Sequence, residues 1–297
     1  MNLIPIASKI LGESLLSLYP IFVKKIDLSL TVQMWSRFFS YILVALAFIN
    51  WTFVSETLFT TDGILLSGIT IAHIYTSYRG FLLLDSGVSY SIFYLYPLMI
   101  LLMSGVPIHP IMILSIIGVI LLAFNNDLSK VPDKNTKEKA KDTLKDPPKE
   151  FVPYEGVLII ALAAFTEALI YFVVRRIKTP NPWNHLFISY FFGAILMSFL
   201  FSDKIREAFI PKKDMGQSIW GITNISWSLL INILIGLFGY LLRFFSMPLL
   251  GPTLYANLSY IGILMAYIYG VLFNGEIVSL QKILGSLCIL IPNFYLR

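Results

Sequence analysis

The feature that most constrains this chain is that its second half repeats its first. With Arg243 set under Arg79, Phe245 falls under Phe81, Gly251 under Gly87, Thr253 under Ser89 and Tyr260 under Tyr96. Gly285 falls under Gly118 after a small loop insertion. Each copy holds five hydrophobic spans, an odd number, so the second copy must enter a membrane from the side opposite to the first. The result is an inverted-topology repeat. That architecture implies a secondary transporter, with solute bound near the midplane between the repeats.

The spans run Leu3–Val23, Val32–Phe53, Gly63–Leu84, Val88–Val106, Pro110–Phe124, Gly156–Val174, His185–Phe201, Ser226–Leu249, Thr253–Phe273 and Leu280–Leu296. Each has little charge, as a helix of about 20 residues needs in order to cross roughly 30 Å of hydrocarbon. Unpaired backbone groups are not tolerated in lipid, and the strand alternation of a barrel is absent, so the spans are helices. With 57% hydrophobic and only 13% charged residues, a soluble domain is excluded. The expected fold is all-α and integral to the membrane: ten transmembrane helices as two inverted five-helix repeats, residues 1–125 and 156–297. Residues 126–155 form a charged hydrophilic linker, with almost nothing apolar before Phe151 to build a core. Asp85-Ser86-Gly87 and Gly251-Pro252 are turn signals at matching places, each joining two spans into a hairpin. The glycines Gly12, Gly87, Gly118, Gly251, Gly262 and Gly285 are read as close-approach points between helices.

The last hairpin reads Gly251-Pro252-Thr253 through Tyr260, then Gly275-Glu276, Gln281 and Gly285, running into Cys288-Ile289-Leu290. It resembles the second half of the EamA-like family of the drug/metabolite transporter superfamily. In the first half, Leu11-Gly12 with Val23-Lys24 resembles the family's first helix, Trp35-Ser36-Arg37 the start of its second, and Tyr96-Pro97-Leu98 its fourth. The first half departs in having Gly105-Val106-Pro107-Ile108-His109 where a Gly-Glu pair is expected, and Ile261 stands where Pro97 has its counterpart. The resemblance implies a carrier for a small solute without choosing among amino acids, drugs, nucleotide sugars and phosphorylated sugars.

Ionisable groups inside spans are costly and default to functional candidates. Here they are Lys9, Glu13, Arg37, Arg79, Glu167 and Arg243. Arg79 and Arg243 occupy corresponding repeat positions and offer a planar fork that suits a carboxylate or phosphate, so they read as paired substrate-binding anchors or gates. The bland alternative is that each snorkels to the interface, and Arg37, closer to a span start, fits that account better. Glu13 and Glu167 lie in corresponding spans and are the proton-coupling candidates, since a carboxyl taken out of water holds a proton more readily. Against this, Lys9 stands one turn before Glu13 and can neutralise it. Tyr96 and Tyr260 are repeat-matched and mid-span, which suits a wall of the solute cavity. Glu276 reads as an interfacial charge at a helix N-terminus.

No cofactor or metal is expected. His73, His109 and His185 are isolated, and phosphate-binding loops, dinucleotide motifs and nucleophile elbows are absent, so the chain is not read as an enzyme. The net charge of +5 reads as basic residues flanking spans rather than a nucleic-acid surface. The expected partners are a small-molecule solute and membrane lipids. The leading reading is a secondary-active transporter of a small polar or anionic solute working by alternating access. Its rivals are a proton-coupled exporter of cationic amphiphiles centred on Glu13, and a non-transporting receptor or scaffold of the same fold.

Overall fold

The computed structural model describes residues 3–105, 107, 109–124, 153–210 and 224–295. The linker proposed for 126–155 lies outside these except for its last three residues, which open a helix. Among the described residues the chain is all helical. Its helices are α1 (Ile4–Leu16), α2 (Tyr19–Lys25), α3 (Leu30–Ala45), α4 (Trp51–Thr57), α5 (Thr61–Leu83), α6 (Ser86–Phe93), α7 (Tyr96–Met103) and α8 (Ile113–Ala123). After the gap come α9 (Pro153–Arg176), α10 (Pro182–Leu200), α11 (Ser202–Phe209), α12 (Asn224–Ile231), α13 (Phe238–Ser246), α14 (Pro252–Ser259), α15 (Ile261–Asn274) and α16 (Leu280–Tyr295). Ser29, Asn50, Thr60 and Asn181 each accept a backbone N–H at a helix start, which satisfies donors that the helix itself leaves unpaired.

Six continuous or gently bent helical stretches are long and apolar enough to cross a membrane: Ile4–Lys25, Ser86–Met103, Tyr154–Arg176, Pro182–Leu200, Asn224–Ser246 and Pro252–Asn274. The α4–α5 pair, bent by 86°, makes a seventh if counted as one span. The expected second span, Val32–Phe53, is cut: α3 ends at Ala45 and α4 starts at Trp51. The fourth and ninth spans are both broken near their middles. Between α6 and α7 the break falls at Tyr94–Leu95, just before Pro97, which has no N–H to give. Between α14 and α15 it falls at Tyr260 although Ile261 is no proline. The Asn224–Ser246 stretch carries a π-helical turn at Asn232–Leu237.

The bundle is apolar on its outer surface and holds a charged centre within an otherwise largely apolar core. Phe199, Phe124, Leu272, Leu158 and Ile116 face outward, while Lys9, Glu13, Arg37, His73, Glu167 and Arg243 are buried. Water would favour the reverse arrangement, and lipid favours this one. The pairs α1 with α13, α5 with α9, α3 with α10, and α8 with α16 form the main contacts. Small residues set the closest approaches. A Cβ on Gly12 would stand 2.9 Å from the carbonyl oxygen of Gly239, and one on Gly118 2.5 Å from that of Gly285. Gly251 has open space around it, so its place is the turn before Pro252 and not a helix crossing.

Candidate functional site

The middle of the bundle holds a charged network assembled from both halves. Glu13 on α1 accepts from Lys9 one turn earlier and from the Tyr94 hydroxyl. Arg243 on α13 brings Nε within 3.0 Å of the same carboxylate. Its Nη2 reaches Glu167 on α9 at 2.6 Å. The other Glu167 oxygen lies 3.3 Å from His73 Nε2 on α5. His73 Nδ1 is 3.2 Å from the Ala163 carbonyl and 3.2 Å from the Thr166 hydroxyl, again on α9. Tyr96, at the start of α7, ties the pieces together. Its hydroxyl receives bonds from Arg243 Nη2 at 3.0 Å and Lys9 Nζ at 3.2 Å, and lies 2.6 Å from the Ser259 hydroxyl. Lys9 also stands 3.4 Å over the Tyr255 ring, a close cation–π contact between two fully buried side chains.

Every charge in this network is 2% exposed or less. Buried ions persist only when paired, and here two cations, Lys9 and Arg243, face two carboxylates, Glu13 and Glu167. The network is neutral within itself.

A further buried cation lies beside it. Arg37 on α3 is 2% exposed, and no carboxylate among the described residues pairs with it. Tyrosines surround it instead. Its guanidinium carbon is 4.6 Å from the rings of Tyr19 and Tyr240 and between 5.4 and 5.8 Å from those of Tyr78, Tyr41 and Tyr190. Nη2 donates to the Tyr190 hydroxyl at 3.0 Å, while Nε has no hydrogen-bond partner. The cage is itself braced: Tyr19 bonds the Tyr41 hydroxyl at 2.6 Å and Asn232 at 2.8 Å. Arg37 and Arg243 line one cavity, together with Glu13, His73, Ser77 and Tyr240. Its volume of about 10 Å³ suits about one water. This conformation is closed around its centre.

The sequence candidates separate here. Arg243, Glu13, Glu167 and Tyr96 meet in the network, and Tyr260 stands one ring away, 6.2 Å from Tyr94. Arg79 does not join them. Its side chain is 19% exposed and pairs at 2.5 Å with Glu155 in the first turn of α9. Arg37 does not snorkel, because α3 spans only Leu30–Ala45 and Arg37 is near its middle. His73 is not isolated, since the α5–α9 contact supplies partners 90 and more residues away in sequence.

One end of the bundle carries a separate latch. Gly275 takes the left-handed conformation, φ +63°, that ends α15 and turns the chain back. Glu276 then caps not its own helix but α6, in the other half. It accepts from the Ser86 N–H at 2.9 Å and from the Ser86 hydroxyl at 2.5 Å, with Lys24 at 3.2 Å. Burial pushes the Glu276 carboxyl up, but Lys24 and the Ser86 bonds outweigh it and hold it below its ordinary value. Lys282 adds a bond of 2.8 Å to Asp85.

The chain is similar to a crystal structure of a protein, with a TM-score of 0.54 and 16% identity over 98% of this chain and 94% of that one. At that identity the likeness shows the fold alone. Among curated proteins no sequence matches. The family model described as the EamA-like transporter family matches residues 154–293. Residues 154–293 are thus similar to the EamA-like transporter family, and the chain is a multi-pass integral membrane protein.

Proposed function

We propose that this protein is a secondary-active transporter that binds a small polar or anionic solute between two inverted five-helix repeats and carries it by alternating access. The observation that carries this reading is the buried network at the junction of the two halves, with Glu13 and Tyr96 from one and Glu167 and Arg243 from the other. A charged centre sealed from lipid has no structural need to exist, and in a membrane protein it marks a pathway. Two further features support the reading. The contact of α1 with α13 becomes that of α9 with α5 when the halves are exchanged, as a pseudo-twofold axis requires. Discontinuous helices near the centre, broken at Tyr94–Leu95 and at Tyr260, are a common way for such carriers to build a site.

In this account Arg243, Tyr96 and Tyr260 form the central wall, and Arg79 with Glu155 acts as a gate at one end. Glu13 and Glu167 take up protons as the bundle opens and their ion pairs with Arg243 loosen, with His73 beside Glu167 as a second proton acceptor, so a solute and a proton compete for the same network. Reconstitution tests this. Vesicles containing the protein take up labelled small anions, and Glu13→Gln removes the response to an imposed pH gradient. Movement of cationic amphiphiles alone favours the exporter reading. If no solute of any class moves, the chain is a receptor or scaffold.

A further inference from the structure

Charge bookkeeping in the cavity leaves one group over. Counted with Lys9 charged in its ion pair with Glu13 and with His73 neutral, the three cations Lys9, Arg243 and Arg37 outnumber the two carboxylates Glu13 and Glu167 by one. The surplus sits on Arg37, because Arg243 is held by both carboxylates and Lys9 by one. A buried ion without a counter-ion is expensive, and tyrosine faces offset only part of that cost. Arg37 therefore departs from the rule that governs the rest of the network, and it does so on the wall of the cavity, with Nε unpartnered.

We infer that Arg37 is the anchor for the solute's single negative charge, a carboxylate, and that the transported solute is a small monocarboxylate. The inference rests on the transport reading above and narrows it. A guanidinium presents two parallel N–H donors to a carboxylate, and the free Nε–H is one of them. One charge is what the centre lacks. A dianion would leave the site negative by one, and a cation would raise its surplus to two. The Tyr240 hydroxyl on the same wall can meet a remaining lone pair of the carboxylate, and Ser77, whose own proton goes to the His73 carbonyl, can accept from a polar substituent of the solute. The rings of Tyr19, Phe81 and Phe93, which line the same cavity, then enclose its apolar part. The present cavity of about 10 Å³ is too small for such a molecule, so binding accompanies opening of the bundle.

Purified full-length protein is titrated with pyruvate and with benzoate while its thermal midpoint is followed, and parallel titrations use succinate, inorganic phosphate, chloride and choline. The same compounds are offered to vesicles containing the protein. Expected is a midpoint that rises with at least one monocarboxylate, and with chloride, the dianions and choline far less. Arg37→Lys keeps the charge and loses the fork, and weakens the apparent affinity by about tenfold or more. Arg37→Met abolishes ligand stabilisation and uptake while its ligand-free midpoint holds or rises, which separates lost binding from lost folding. The inference is overturned if Arg37→Met still responds to monocarboxylates as wild type does, or if chloride alone reproduces the effect. Uptake of phosphate, succinate or choline without monocarboxylates overturns it too, but leaves the transport reading standing. If no compound stabilises or crosses, both fail together.

Discussion

Arg243 and Arg37 are equally buried arginines on one cavity wall, yet their surroundings differ in kind. Arg243 is clamped by two carboxylates from two different helices, so its charge is cancelled before any solute arrives. Arg37 is wrapped in five tyrosines, and no carboxylate among the described residues pairs with it. The same side chain thus does two jobs. One joins the halves of the bundle through ion pairs whose loss leaves bare charges behind. The other holds a charge that folding alone gives no reason to keep.

The contrast breaks most sharply under one substitution made twice. Arg243→Met leaves buried Glu13 with Lys9 alone and buried Glu167 with only His73 beside it, and loses about 3–5 kcal/mol of stability by reversible unfolding in mild detergent. Arg37→Met removes an unpaired ion and holds or gains stability in the same assay. Equal losses at both sites would erase the distinction. Next comes Gly262→Ala, because its new Cβ would lie 1.8 Å from the Tyr94 hydroxyl that bonds Glu13. Displacing that ring costs about 1–3 kcal/mol, while Gly68→Ala, with open space around it, changes stability by less than about 1 kcal/mol. The Glu276 latch sharpens the comparison from outside the core. Its carboxyl is held below the ordinary value of 4.5. A depressed acid contributes stability that is complete above the ordinary value and lost as pH falls through the depressed one. The midpoint difference between wild type and Glu276→Gln is therefore largest near neutral pH and shrinks below about pH 4.5. Smallest is Arg79→Lys. An ion pair with a partner 43% exposed is worth about 0–1 kcal/mol, so the thermal midpoint hardly moves.

The residues that meet in the candidate network were partly legible because lipid penalises charge. Glu13, Glu167 and Arg243 stand out in apolar runs, and their meeting needs only that the helices carrying them pack together. Tyr96 followed from its repeat match. What stayed hidden depends on where helices end and which faces meet. Arg37 looked peripheral in a span drawn from Val32 to Phe53, and became central once α3 proved to stop at Ala45. The signal was Ile49-Asn50, where an asparagine ahead of Trp51 caps a new helix. His73 looked isolated because its partners lie on α9, far along the sequence. Repeat symmetry matched Arg79 to Arg243 in sequence, but α9 offers Arg79 a surface partner in Glu155 whereas α1 and α9 offer Arg243 buried ones. Glu276 was read as capping a helix N-terminus, and the helix it caps is in the other half.

The central claim is that a solute passes this cavity from one side of the membrane to the other. Ser77 tests it most directly, since it lines the cavity and is 3% exposed. Cys288 is the chain's single cysteine, so Cys288→Ser gives a clean background for Ser77→Cys. In oriented vesicles the account predicts that a membrane-impermeant thiol reagent modifies this cysteine from either side, and that pyruvate or benzoate slows both reactions. Modification from one side only, or from neither while the unfolded protein reacts, would contradict it.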